Sequence, residues 1–323
     1  MIPSMHFMTN MNVQVVTVTL NPAIDQTVTI SDFNLGSVNR VESVCENPGG
    51  KGVNVASKLA DYGINVATTG FLGHENTVSF EALFKRKNIG DHFVRIVGQT
   101  RVGIKISDPV RGETTDINFP GIAPQPHELA VLHEQLDEVA ALDKLWIVLA
   151  GSVPPGIDPG IYRELIERFR SCGHKVVLDT SGEPLRLALE AAPHIMKPNI
   201  HELEDLLGLE LTTRESIVDA ARQFIARSTA LVVVSMGAEG ALFVTAKEAI
   251  FARPPNIAVR STVGAGDAMV AGIIVGRLRD LPLADCGRLA TAFSINALTN
   301  SKVGRNYPAE IESAMADVTI EVR

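Results

Sequence analysis

Beyond Pro120 the chain alternates between short apolar runs and longer stretches of helical spacing, and no other feature narrows the fold so far. Leu145 to Ala150 is followed by Pro159 to Ser171, Lys175 to Asp179 by Glu183 to Ala191, and the helical stretch Ser216 to Ala226 by Leu231 to Ser235. Strands that are apolar throughout need cover on both faces, and strands joined through a helix run parallel. The pattern predicts an α/β fold: a doubly wound, mainly parallel sheet flanked by helices. Upstream, Val13 to Leu20 (VQVVTVTL) reads as a buried first strand that stops at Asn21-Pro22. Lys51 to Tyr62 places Val53, Val55, Ala56, Leu59 and Ala60 on one helical face, with Gly63 where a left-handed C-terminal residue belongs. Downstream, Ala241 to Thr245 and Ala249 to Ala252 read as an antiparallel pair, followed by helices near Ala265 to Leu278 and Ala284 to Leu298.

Two regions do not fit a buried sheet. Gln26 to Ile30 with Arg40 to Glu46, and Val102 to Ser107 with Thr114 to Phe119, are short strands of mixed polarity bounded by turn residues. They predict two half-exposed hairpins that together make a small accessory sheet. With 323 residues, 46% of them hydrophobic, the chain can build one large core carrying such an appendage.

The formal net charge of −8 argues against a general nucleic-acid or anionic-membrane binder, so any anionic ligand must meet locally clustered cations. Cys45, Cys172 and Cys286 lie far apart and cannot close a disulfide framework, which suits a reducing compartment. No stretch has signal-peptide character, and none reaches the roughly 18 apolar residues of a membrane span. The expectation is a cytoplasmic protein whose Met-rich residues 1–12 form a flexible tail.

Chemistry concentrates at glycine-rich entries into helices. In Ser261-Thr262-Val263-Gly264-Ala265-Gly266-Asp267 the free amides at a helix start favour a negative group, and a carboxylate stands beside them. A dinucleotide fingerprint would want glycine where Met269 stands, and a P-loop would want Lys-Ser/Thr after its last glycine, so neither motif fits. Asp267 is then either a helix cap or a base that takes a hydroxyl proton while the amides hold charge on a phosphoryl group. Asn47-Pro48-Gly49-Gly50-Lys51-Gly52-Val53-Asn54 is a second such entry, read as a phosphate-binding turn with Lys51 or as an ordinary turn. Asp25, in a loop just past the first strand, suits sugar hydroxyls or merely a turn, and Arg101 can fork onto a phosphate or stay solvated. Gly151-Ser152 follows a buried strand and lines a site or connects elements. Asn199 and Glu202 stand three apart, as Mg²⁺ ligands acting through water or as a capping box. Ser235 to Gly240 is a phosphate-wrapping turn or a plain hairpin. The histidines have no zinc-ligand spacing.

Taken in order, NPAID at 21–25, GGKGVNVA at 49–56, TR at 100–101, GSVPPG at 151–156, KPNIHELE at 197–204, SMGAEG at 235–240 and STVGAGDAMVAG at 261–272 resemble the PfkB carbohydrate kinases. The resemblance runs from about Val13 nearly to the C-terminus. It implies a ribokinase-like core (13–23, 48–97 and 121–320), a small β-sheet lid (24–47 and 98–120), a homodimer formed through the lids, and ATP with Mg²⁺. Asp267 becomes the implied base and Gly264, Ala265 and Gly266 the anion hole. Asp25, Gly50, Lys51, Asn54, Arg101 and Ser152 become sugar-phosphate contacts. Lys197, Asn199, Glu202, Ser235, Gly237, Ala238, Glu239 and Gly240 go to the nucleotide and Mg²⁺.

Within the family, Thr115-Asp116-Ile117-Asn118-Phe119 before Pro120-Gly121, and Lys51, are similar to the branch that phosphorylates fructose 1-phosphate at its C6 hydroxyl. Branches acting on tagatose 6-phosphate, which share the lysine, and on fructose 6-phosphate, which typically have glycine there, remain alternatives. One departure is Gly103, where the family commonly carries Asn. Two other classes stay in view: an NAD-dependent oxidoreductase, opposed by Met269 and by the missing N-terminal fingerprint, and a catalytically silent sugar-phosphate sensor on a kinase scaffold.

Overall fold

The computed structural model describes residues 12–259, 263–299 and 307–322; residues 1–11 of the expected tail and Ser261 and Thr262 of the glycine-rich motif lie outside the described residues. The strands are β1 (Val15–Thr19), β2 (Ala23–Thr29), β3 (Ser43–Gly49), β4 (Val66–Gly73), β5 (Gly90–Ile96), β6 (Val102–Asp108), β7 (Glu113–Asn118), β8 (Trp146–Ala150), β9 (Lys175–Asp179), β10 (Ile195–Met196), β11 (Leu231–Ser235), β12 (Ala241–Val244), β13 (Ala249–Arg253) and β14 (Thr319–Val322). The main sheet has the order β14-β13-β12-β11-β10-β9-β8-β1-β4-β5. From β5 to β11 every pairing is parallel, and β12 to β14 add an antiparallel edge.

Every residue of β1 is buried, as a strand covered on both faces requires. Val15, Val148 and Val233 point into one layer with Val53, Val270, Ile274 and Phe293, from helices Lys51–Asp61, Ala265–Leu278 and Leu283–Thr299. Val16, Leu149 and Val232 point into the other with Leu132, Leu165 and Ala221, from helices Pro126–Ala140, Ile161–Ser171 and Arg214–Ile225.

Several elements have no counterpart in the sequence reading: β4, β5, β14 and helices Val78–Lys87, Pro126–Ala140 and Tyr307–Ala316. In β4 the apolar run is diluted by Thr68 and Thr69, which the core accepts because their hydroxyls are paired. Thr17 Oγ1 donates to Thr68 Oγ1 (3.0 Å) and Thr69 Oγ1 to the His92 carbonyl (2.9 Å). In β5, Asp91, His92 and Arg95 interrupt the pattern at a sheet edge.

The two predicted hairpins form the second sheet, β3-β2-β6-β7, joined by the parallel pair β2–β6. β2 starts at Ala23 and β3 runs to Gly49, so Asp25, expected in a loop, lies inside a strand. Register puts Asp25, Thr27, Asn47, Lys105 and Asp116 on one face and Val28, Val44, Ile104, Ile106 and Ile117 on the other. The Asp108 carboxylate accepts amides of Asp32 (3.1 Å), Phe33 (2.8 Å), Val110 (2.9 Å) and Arg111 (3.2 Å), tying the β2–β3 loop to the β6–β7 turn.

The chain leaves β1 for β4 and β5 on one side and returns to β8 on the other. Such a reversal opens a crevice beyond the strand ends, and Asn21, Gly151 and Asp179 stand there at the ends of β1, β8 and β9. Among the described residues no helix is long and apolar enough to cross a membrane.

Candidate active site

Asp267 occupies the third position of helix Ala265–Leu278, whose first residue follows Gly264 in the left-handed conformation (φ 75°). A glycine takes that conformation without a Cβ penalty. Asp267 Oδ2 accepts a hydrogen bond from Asn54 Nδ2 at 2.8 Å, so one of its oxygens is engaged by another helix and not by the amides of its own. Asn54, assigned to the sugar phosphate by resemblance, thus aims the carboxylate. Burial pushes Asp267 up to about 6, with the negative charge of Asp179 adding; Lys51, the Asn54 bond and Lys197 pull against it.

Asp179, which the sequence reading did not single out, organises the cations. Its Oδ1 meets Lys51 Nζ at 2.8 Å and Lys197 Nζ at 3.5 Å, and its side chain is wholly buried. Burial alone would raise its carboxyl, but Lys197 and Lys51 hold it below the usual carboxylate range. Burial would likewise lower Lys51, and Asp179, with Asp267 and Glu202 farther off, holds it above the ordinary lysine value. Two carboxylates are thus pushed apart, one kept ionised and one poised near neutral pH. Lys197 Nζ lies 3.4 Å from where a Cβ on Gly266 would sit, so a side chain there would press on the ammonium. The available signal for Asp179 was a charge at the end of a strand whose preceding three residues, Val176 to Leu178, are apolar.

On the lid side, a Cβ on Gly49 would collide with the Asp25 carboxylate, and one on Gly103 would lie 3.3 Å from Asp25 Oδ1 and 3.5 Å from Asn118 Oδ1. The departure at Gly103 therefore leaves room for Asp25 and Asn118. Burial raises the Asp25 carboxyl, with Lys105 and Arg101 opposing. Arg101 is half-buried and anchored to backbone: Nη1 donates to the Phe119 carbonyl (2.8 Å), Nη2 to that of Asn21 (3.1 Å) and Nε to that of Pro22 (3.3 Å). Three of the five guanidinium donors are committed and two remain. Asn21 Nδ2 donates to Ser152 Oγ (3.1 Å) and to the Pro120 carbonyl (2.9 Å), and these residues with Arg101 and Phe119 line a cleft of about 430 Å³. Gly50, at φ 107°, passes so close to Pro22 that a Cβ would fall 2.9 Å from its Cα. The 151 turn is fixed by the Tyr162 and Thr180 hydroxyls, which donate to the Gly151 carbonyl at 3.0 and 2.9 Å.

On the other side, Asn199 and Glu202 form a reciprocal capping box: Glu202 N donates to Asn199 Oδ1 and Asn199 N to Glu202 Oε2, both at 2.8 Å. Glu202 is nevertheless close enough to act on Lys51. Ser235, Gly237, Ala238, Glu239 and Gly240 form a turn that Met236 N closes onto the Gly240 carbonyl at 2.8 Å. This turn, Pro254 to Asn256, Ala265, Gly266 and Met269 enclose a cavity of about 700 Å³. Its far wall is Thr291, Ser294, Ile295 and Leu298, which in sequence look like any core helix face. The volume suits a nucleotide-sized ligand.

Residues 18–310 match the model of the pfkB family of carbohydrate kinases. The chain is 46% identical over 313 residues to a 1-phosphofructokinase of Rhodobacter capsulatus, covering 97% of this chain and 98% of the relative. It is 45% identical over 319 residues to a 1-phosphofructokinase of Xanthomonas campestris, covering 96% and 99%. Among solved structures, Escherichia coli phosphofructokinase-2 in complex with substrates and products superposes with a TM-score of 0.87 at 28% identity, covering 94% of this chain and 99% of that one. A buried helix-start carboxylate held by Asn54, an aspartate paired with two lysines and a nucleotide-sized cavity lined by the start of the same helix are compatible with phosphoryl transfer, and the chain belongs to the pfkB family of carbohydrate kinases.

Proposed function

We propose that this kinase transfers the terminal phosphoryl group of ATP to the C6 hydroxyl of fructose 1-phosphate, giving fructose 1,6-bisphosphate and ADP. The observation that carries the chemistry is the buried Asp267 carboxylate, aimed by Asn54 and following Ala265 and Gly266, which line the larger cavity. The near full-length likeness to enzymes named 1-phosphofructokinase supports the choice of sugar.

In this reading Asp267 takes the C6 hydroxyl proton as that oxygen attacks the terminal phosphorus in line and the bond to the ADP oxygen breaks. The amides of Gly264, Ala265 and Gly266 hold the charge on the transferred group, with Lys197 beside them. The Ser235 to Gly240 turn wraps the nucleotide. Asp25, Gly50, Arg101 and Ser152 hold the sugar phosphate, and Lys51 bridges the two halves. Mg²⁺ bound with the nucleotide would neutralise phosphate charge. Asn199 and Glu202 would hold it largely through water, since one amide oxygen and one carboxylate suit a hard cation that keeps most of its water. Asp179 Oδ2, buried and without a hydrogen-bond partner among the described residues, is a further acceptor near the two lysines.

A coupled ADP-release screen tests the sugar. Fructose 1-phosphate is expected to give the highest kcat/KM among fructose 1-phosphate, fructose 6-phosphate, tagatose 6-phosphate and the unphosphorylated sugars. A higher value for either 6-phosphate would move the enzyme to that branch.

The enzyme works in the cytoplasm as a homodimer joined through its lids, with small-molecule partners only. Val44 (56% exposed) and Ile117 (44%) lie on the lid face that also carries the Gln26–Glu46 pair, and Leu35 (91%) and Val38 (86%) project from the β2–β3 loop. Apolar surface of this kind gains by pairing with its own copy. Sedimentation at micromolar concentration is expected to give the mass of two chains; a single-chain mass would refute the lid dimer.

A further inference from the structure

We propose that Lys105, on the polar face of the lid, receives the phosphate that the sugar already carries, and that Asp116 holds the ammonium ready when no sugar is bound. The inference rests on the sugar-phosphate reading above and names the group that sets the preference for a phosphorylated sugar.

A sugar whose far hydroxyl reaches Asp267 must present its existing phosphate at the opposite end, and that dianion needs cations there. The two cations suggested by the motifs are largely spent. Lys51 is paired with the wholly buried Asp179 at 2.8 Å, and Arg101 has given three of its donors to backbone carbonyls. Lys105 is differently placed. The β2–β6 and β6–β7 registers put it on the same face as Asp25 and Asp116, next but one to Gly103, whose missing side chain makes room for the Asp25 carboxylate. Asp25 pairs with Gly103 and Lys105 with Asp116 across adjacent strands, so the carboxylate and the ion pair are neighbours on one face, and the charge of Lys105 opposes the burial that raises the Asp25 carboxyl.

The pair Lys105 Nζ to Asp116 Oδ1 spans 2.8 Å, yet the two ends differ: the lysine side chain is 17% exposed and the aspartate 50%. The ammonium is therefore fixed while its partner borders water, and exchange of a well-solvated carboxylate for a phosphate dianion costs little. The remaining two Arg101 donors complete the cradle.

Lys105→Met is expected to raise the KM for fructose 1-phosphate about tenfold or more, with the KM for ATP and kcat at saturation within about twofold of wild type. The ratio of kcat/KM for fructose 1-phosphate over fructose should fall by the same factor. Lys105→Arg, which keeps the charge, should retain most of that ratio. Asp116→Asn keeps an amide oxygen for the Lys105 ammonium and removes the charge that competes with the phosphate, so it should hold or lower the KM; a rise matching that of Lys105→Met would assign the effect to the ion pair and overturn the inference. An unchanged ratio in Lys105→Met would overturn it too. If wild type fails to use fructose 1-phosphate, the functional reading falls; if wild type uses it and Lys105→Met is indistinguishable, only this inference does.

Discussion

Asp267→Asn is expected to lower kcat about 10²- to 10⁴-fold while leaving the affinity for ATP nearly unchanged, because the amide keeps the shape of the site but cannot take a proton. Stability should hold or rise slightly, since the carboxylate it removes is buried beside the negative Asp179. The same residue sets a pH limb. The base must be ionised to work, and its carboxyl titrates at about 6, so kcat/KM of wild type should fall tenfold per unit below that pH and level off above it. A variant with full turnover, or a wild-type profile flat down to pH 5, would remove Asp267 from the mechanism.

Asp179→Ala is expected to cost stability as well as activity. It strands Lys197, whose side chain is 4% exposed, and Lys51 without their counter-charge, and breaking a buried ion pair from one side costs about 3–5 kcal/mol. Urea unfolding at pH 7 measures this; a loss below about 1 kcal/mol would mean that the lysines find other partners. Asp179→Asn adds a second reading. Removing its charge takes away one of the influences that hold Asp267 up and frees the lysines to pull it down, so the acid limb of surviving activity should move to lower pH.

The legible parts share a physical trait: they are encoded by neighbours in the chain. Helix Ala265–Leu278 starts directly after Gly264, as its glycine-rich entry predicts, and Gly63, at φ 88°, is the left-handed residue expected after helix Lys51–Asp61. The Asn199–Glu202 capping box is a local reciprocity of side chain and backbone, and it forms as read. Asp179 was missed because a carboxylate at a strand end looks the same whether it meets water or two lysines. Thr291 and Ile295 were missed because a helix face lining a cavity carries the same apolar spacing as one facing the core. Lys105 was passed over because strand alternation does not say which lid face looks inward.

The sequence by itself determined the parallel α/β architecture, the paired hairpins of the lid and the family, because apolar periodicity, turn residues and motif order are properties of the chain read in line. Only the tertiary structure decided the roles within the site. Asn54 and Asp267 are 213 positions apart and Lys51 and Asp179 128 apart, yet each pair closes to 2.8 Å. Charge and hydrogen bonding depend on distance in space, and burial on what packs around a group, so which lysine neutralises which carboxylate exists only once the strands have brought them together.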